Sequence, residues 1–170
     1  MIPLKIVLSG FMSYREQQTL TFDGARLWVL SGPNGAGKSA IFDAITFVLF
    51  GRYRDQKQNF TDLINHSCDR AVVAYDFCLG DVVYRVQRAI PKRGAATRCA
   101  YTLISVPDGG DPKLEPIERT DLESGFKEWV EHIVGLNYET FTASVLLQQG
   151  KSDRLLDSDT EQRYKILAHV

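Results

Sequence analysis

A glycine-rich stretch, Gly32–Ser39, has the residues and spacing needed to bind phosphate. It reads GPNGAGKS and matches G-x-x-x-x-G-K-[ST] at every fixed position. Glycines allow backbone angles at which successive N–H groups point at one anion, and a lysine adds a full positive charge. A serine hydroxyl in this position suits Mg²⁺. The predicted nucleotide contacts are Gly32, Pro33, Asn34, Gly35, Ala36, Gly37, Lys38, Ser39 and Ala40, with Lys38 also catalytic and Ser39 a magnesium ligand.

This loop alone does not decide the reaction, because several classes of phosphate-handling enzyme share it. A GTPase should also carry an NKxD base-reading motif, and the sequence has none. A nucleotide kinase remains an alternative, since GPNGAGKS also resembles guanylate-kinase loops. Such a kinase, however, continues with a parallel sheet, and the residues after the loop predict an antiparallel one.

The elements around the loop follow from hydrophobic periodicity. A short apolar strand, Leu27–Ser31, precedes the loop, and a helix over Lys38–Phe50 follows it and ends at Gly51. Further strands are predicted at Leu4–Phe11, Gln17–Phe22, Ala71–Leu79, Val82–Ile90, Thr97–Val106, Leu114–Ile117 and Ser144–Gln149, and further helices at Asp121–Val134, from Tyr138 after an Asn137 cap, and from Ser158 or Asp159. The middle strands form an antiparallel meander, joined at Gly80-Asp81 by a hairpin turn.

Composition limits the class of protein but not its partner. The chain has 170 residues, which suits one domain, and a net charge of −1, which indicates no nucleic-acid partner by itself. No apolar run approaches the roughly 20 residues of a membrane span. The three cysteines, Cys68, Cys78 and Cys99, lack CxxC spacing, so we expect them in the core of a protein kept in a reducing cytoplasm.

Several blocks of sequence resemble one family. They are FMSY at 11–14, FDG at 22–24, SAIFDAI at 39–45, LFG at 49–51, DLINHS at 62–67 and FTASVLLQQG at 141–150. In this order they are similar to the SMC-like ABC ATPases, above all to the SbcC-type DNA double-strand-break repair proteins. The resemblance covers essentially the whole chain.

The resemblance implies a fold and several residue roles. Residues 1–170 would form an α/β P-loop NTPase of the ABC-ATPase head type, namely its N-terminal lobe with an antiparallel β-meander and the start of a coiled-coil helix. ATP and Mg²⁺ would be the ligands, with Asn34 facing the γ-phosphate. Gln149 would be the Q-loop glutamine, catalytic and a magnesium ligand, whereas Gln148 would leave the opposite face of the strand. Met12 stands where some relatives carry arginine.

Two motifs of such an ATPase are not in this sequence. Val72–Asp76 imitates a Walker B strand, but Phe77 follows in place of a glutamate, so we interpret Asp76 as an outward-facing strand residue. An LSGGQ-like signature is also missing. The family places both motifs in a C-terminal segment beyond a coiled coil, and the chain is therefore expected to be a fragment.

The resemblance also implies partners. They are the C-terminal lobe of the same protein, a second ATPase head in a homodimer, an SbcD-type nuclease subunit and DNA, with no membrane, in the cytoplasm at the nucleoid. An SMC- or RecF-like head without a nuclease partner is the main alternative.

A basic stripe is the candidate DNA surface. From Val82 to Pro107 there are five cations and no acid. The stripe consists of Arg85, Arg88, Lys92, Arg93 and Arg98, all expected to be exposed, and Arg54 and Lys57 are further candidates. Such a stripe can bind phosphates without sequence preference, and the alternative is a solvated hairpin face.

Overall fold

The computed structural model describes residues 1–22, 28–53, 60–104 and 112–144. The elements in chain order are β1 (Ile2–Ser9), β2 (Gln18–Thr21), α1 (Lys38–Phe50), a 3₁₀ helix (Phe60–Leu63), β3 (Arg70–Leu79), β4 (Val82–Pro91), β5 (Thr97–Ile104), β6 (Lys113–Pro116), α2 (Glu123–Val134) and α3 (Tyr138–Ser144). The predicted strands and helices in this range are confirmed, except for the strand before the glycine-rich loop and the start of the strand predicted from Ser144.

One antiparallel sheet joins the strands in the order β2-β1-β3-β4-β5-β6. The predicted meander supplies β3 to β6, and β1 adds to it by pairing with β3, with Ile6 opposite Tyr75. Sequence alone did not indicate this pairing, because the two strands are separated by the whole phosphate-binding segment.

The core lies on one face of this sheet. Side chains alternate along each strand, so Ile6, Val73, Tyr75 and Val86 share one face and are almost fully buried. Helix α1 packs against β3 and β4, and α2 packs against β5 and α1. The sheet thus presents its apolar face to the helix that follows the glycine-rich loop.

Three helix ends are capped by glycine or asparagine residues. Gly51 and Gly135 adopt the left-handed conformation and donate their N–H groups to Phe47 and Glu131, at 2.8 and 3.0 Å. The Asn137 side chain accepts the N–H of Thr140 at 2.9 Å and caps α3. These contacts fix where the helices begin and end.

The strand predicted before the glycine-rich loop is wrong within the described residues. Trp28, Val29 and Leu30 form no strand and are exposed, Val29 to 81%. A strand needs a neighbour for its backbone groups, and the described sheet offers this segment none.

Other sequence predictions have different outcomes. Ser144 ends α3, so the strand predicted from this residue does not begin there, and positions 145–149 lie outside the described residues. The helix predicted from residue 158, with the coiled-coil start, also lies outside them.

The three cysteines are half-buried and free, so they are not the core residues we expected. Among the described helices, none is long and apolar enough to cross a membrane.

Candidate functional site

The glycine-rich loop leads directly into α1 and leaves the N-terminus of that helix open. Gly35 and Gly37 have φ values of 83° and 86°, in the region that disfavours side chains. Gly37 is the N-cap of α1 and provides no side-chain cap, so the first N–H groups of the helix face outward as donors. A cavity of about 320 Å³ lies at this point. Backbone donors and the positive end of a helix therefore converge on one space.

Lys38 folds back over the loop. Its Nζ donates to the carbonyl oxygens of Gly32 and Pro33, at 2.6 and 2.7 Å. These neutral acceptors hold the ammonium beside the cavity, and a phosphate oxygen would be a stronger, charge-assisted partner. The donor set thus fits a polyphosphate.

The nine predicted loop residues lie together. Ala36 donates to the Pro33 carbonyl at 3.2 Å and closes the turn, and Ser39 is exposed while Ala40 is buried. The loop residues that line the cavity are Asn34, Gly35, Gly37, Lys38, Ser39 and Ala40. Their individual roles stay predictions.

The opposite wall of the cavity comes from a turn far away in sequence. Met12 and Ser13 line it, and the Tyr14 hydroxyl donates to the Gly37 carbonyl at 3.2 Å. Asn65 holds this turn, since its Nδ2 donates to the Met12 carbonyl at 2.7 Å. Sequence reasoning noticed Met12 alone among these residues. The blocks FMSY and DLINHS were a signal, but no spacing rule connects them to the loop.

Asp76 lies on the sheet face opposite Tyr75, as predicted, yet it is only 4% exposed. Arg85, its cross-strand neighbour, donates to both of its carboxylate oxygens, at 2.6 and 2.7 Å. Lys5 lies 3.5 Å away. The expectation of an exposed residue is therefore wrong. Because α1 packs on the other face, the sheet separates this carboxylate from the glycine-rich loop.

Arg88 contradicts the expectation that the basic stripe is exposed. It lies on the core face at 6% exposure, and its Nε donates to the Val48 carbonyl at 2.9 Å. Its guanidinium lies 4.5 Å from the centre of the Phe126 ring. Burial lowers the pKa of Arg88 to about 10, although the nearby Glu123 carboxylate opposes that shift. Arg88 is therefore charged at neutral pH and belongs to the core.

The other stripe residues divide into paired and exposed ones. Arg85 is bound to Asp76, and Arg98 lies 3.0 Å from Glu123. Lys92 and Arg93 are exposed in the loop between β4 and β5, and Lys92 Nζ also lies 3.9 Å from an Asp69 carboxylate oxygen. Arg70, which sequence reasoning missed, is exposed at the same end of the sheet, opposite Pro91 in the β3–β4 register.

Several predicted site residues fall outside the described part of the chain. They are Arg54, Lys57 and Gln149. Within the described ranges, no group of three or more His, Cys, Asp or Glu side chains could hold a metal ion.

Comparison with known proteins agrees with this architecture. A family model described as "AAA domain" matches residues 5–168. The chain belongs to this AAA domain family.

Its relatives include named repair proteins. The chain is 33% identical over its whole length to the SbcC subunit of the nuclease SbcCD from Deinococcus radiodurans, of which it covers 18%. It is 31% identical, again over its whole length, to a "Probable DNA double-strand break repair Rad50 ATPase" of Aquifex aeolicus, of which it covers 16%. The chain thus spans less than a fifth of these two relatives, and it is SbcC-like in this part.

The fold has a counterpart among solved structures. The recombination mediator protein RecF with ATP matches with a TM-score of 0.50 at 16% identity, over 98% of this chain and 42% of that one. At this identity the likeness concerns the fold alone, which is that of an ABC-type ATPase head.

Proposed function

We propose that this chain is the ATP- and Mg²⁺-binding N-terminal lobe of a DNA-repair ATPase head of the SbcC type. The observation that carries the proposal is the convergence of Lys38, the left-handed glycines and the open N-terminus of α1 on one cavity. Similarity over the whole chain to a relative named as a probable DNA double-strand break repair Rad50 ATPase supports the choice of ATP and of repair.

Each loop residue has a task in this proposal. The backbone N–H groups of Gly35, Gly37, Lys38 and Ser39 would surround the phosphates, and the Lys38 side chain would neutralise their charge. Asn34 would face the terminal phosphate, and Ser39 would hold Mg²⁺, which neutralises the phosphate charge that develops when the chain of phosphates is cleaved. Gln149 would complete the magnesium site as an amide ligand.

Removal of the Lys38 ammonium tests the nucleotide site. A charge-assisted contact of this kind is worth roughly 1.5–3 kcal/mol, so Lys38→Ala should weaken ATP–Mg²⁺ binding about tenfold or more. Calorimetry on the purified chain measures this, with circular dichroism to show an intact fold. Lys127→Ala is the control, because that side chain is 72% exposed on α2. Equal ATP affinity in wild type and Lys38→Ala would refute the site.

The remainder of the head would come from a C-terminal lobe. Trp28 and Val29, which precede the loop, and Phe42, on the helix that follows it, are exposed apolar side chains, Phe42 to 41%. We propose that this lobe covers them and adds the Walker B acid and the signature motif. The chain alone would then hydrolyse almost no ATP.

In the complete assembly, ATP would join two such heads around DNA and control an SbcD-type nuclease subunit in the cytoplasm, at the nucleoid. An SMC- or RecF-like head without a nuclease is the alternative, and the shared fold with RecF keeps it in consideration. A CxxC hook between coiled coils in the longer protein would favour the first, and a glycine-rich hinge domain the second.

The structure changes the set of cations that we propose as the DNA-binding surface. Lys92 and Arg93 are exposed, and Arg70 adds a third cation at the same end of the sheet. Arg88 is left out because it is buried, and Arg85 and Arg98 because their side chains are largely buried and paired with carboxylates. Lys92 is kept because its side chain is 59% exposed, although Asp69 lies 3.9 Å away. Arg54 and Lys57 stay candidates.

A further inference from the structure

The Phe11–Tyr14 turn contacts the phosphate-binding loop at one peptide group. Tyr14 donates its hydroxyl to the Gly37 carbonyl oxygen at 3.2 Å, and the Ala40 N–H donates to the same oxygen at 3.0 Å. A Cβ on Gly37 would lie 2.6 Å from Ser13 Oγ and 3.2 Å from the Tyr14 ring. The turn is therefore packed directly against the N-cap of α1.

Holding this carbonyl also determines where the next N–H points. The peptide group is planar, and in the trans form its C=O and N–H point in opposite directions. The bond from Tyr14 to the Gly37 oxygen, together with that from the Ala40 N–H, thus holds the direction of the Lys38 N–H at the start of α1. Loss of that bond would leave this peptide freer to rotate.

The turn is itself held in place by the segment after the 3₁₀ helix. Met12 donates its N–H to the Leu63 carbonyl at 2.7 Å, and Asn65 donates its N–H to the Gly10 carbonyl at 2.8 Å. Asn65 Nδ2 also donates to the Met12 carbonyl at 2.7 Å. Met12 has a φ of 49°, which a non-glycine residue adopts only when its surroundings enforce it.

We infer that Tyr14 is a positioning residue for the nucleotide site, held by Asn65, and that it orients the Gly37–Lys38 peptide before phosphate arrives. This inference rests on the proposed ATP site. It concerns preorganisation: a loop already held in its binding conformation loses less entropy on binding.

Tyr14→Phe removes only the hydroxyl and is the direct test. One net hydrogen bond corresponds to about a three- to tenfold change in an equilibrium constant. In the nucleotide-free chain, hydrogen exchange of the Ala40 amide should accelerate by about that factor, while amides of β3 and β4 keep their rates. ATP–Mg²⁺ affinity by calorimetry should fall by about the same factor. Tyr84→Phe is the matched control, because this ring packs on Phe77 and Trp129 away from the loop.

Asn65→Ala supplies a second variant and a test of coupling. If both residues act on the same peptide, Asn65→Ala should also accelerate Ala40 exchange, and the double variant should change it less than the product of the two single effects. Unchanged Ala40 exchange in Tyr14→Phe would overturn the inference even if ATP binds. Accelerated exchange with an undiminished ATP affinity would reduce Tyr14 to a structural role. A wild-type chain that binds no ATP, with Ala40 exchange still sensitive to Tyr14, would overturn the proposed function instead.

Discussion

At the residue scale, two glycines of the phosphate-binding loop share one backbone conformation but have different surroundings. Gly35 has no atom within 4 Å of the place where a Cβ would be, whereas Gly37 faces Ser13 and Tyr14. The motif fixes glycine at position 37 but leaves position 35 variable. It could not predict that the second is also closed by a neighbour, because Tyr14 is 23 positions away in sequence.

The difference gives a matched pair of substitutions. Gly35→Ala should cost about 1–2 kcal/mol of unfolding free energy, the penalty of a side chain in the left-handed region. Gly37→Ala carries the same penalty and a clash, so we expect a loss at least about 1 kcal/mol larger. Urea unfolding of both variants measures this. If Gly37→Ala is as stable as Gly35→Ala, the turn that carries Ser13 and Tyr14 moves aside without a loss of unfolding free energy.

At the element scale, periodicity predicted most helices and strands because these patterns are local. Helix α1 was predicted at its observed bounds, since its apolar repeat and Gly51 mark both length and end. The segment at 27–31 has a strand-like sequence, yet Trp28 to Leu30 form none, because pairing depends on what lies beside them. Arg88 was misjudged for a related reason: the acceptor at Val48 and the ring of Phe126 come from other elements.

Arg88 should therefore contribute to the stability of the fold rather than to a DNA-binding surface. Arg88→Ala leaves the Val48 carbonyl without this donor and opens a space against Phe126, so we expect a loss of about 2–3 kcal/mol in unfolding free energy. Arg93→Ala, in the exposed loop, should stay within about 0.5 kcal/mol of wild type. Thermal or urea unfolding compares the two. Similar stabilities would show that the guanidinium contributes nothing net to the core.

At the scale of the whole molecule, the sheet separates the phosphate-binding loop from the buried carboxylate of Asp76. The α1 face holds the phosphate-binding loop, and the opposite face holds Asp76 in its ion pair with Arg85. We therefore expect the 170-residue chain to show almost no ATP turnover, and a C-terminal lobe supplied in trans or by fusion to restore it. A phosphate-release assay measures both, with the Lys38→Ala chain plus the lobe as the control. The opposite result is magnesium-dependent turnover by the chain alone. If Asp76→Asn abolishes that turnover, Asp76 is the metal-binding acid after all.

The proposed DNA binding would require the assembled, ATP-bound head, and the burial and pairing of the basic side chains limit which of them could contact DNA. Removing one phosphate-binding cation should lower the slope of log affinity against log salt by about 0.9, so Lys92→Ala/Arg93→Ala should lower it by about two. The effect should be equal for all sequences, because phosphates carry no base information. Lys113→Ala/Lys127→Ala removes the same charge from exposed side chains on β6 and α2, and it should leave the slope unchanged. If both double variants bind with the wild-type slope, the loop between β4 and β5 is a solvated surface and the DNA-binding residues must lie near Arg54 and Lys57 or on the other lobe. If both lower it equally, the attraction reflects net charge rather than a site at this end of the sheet.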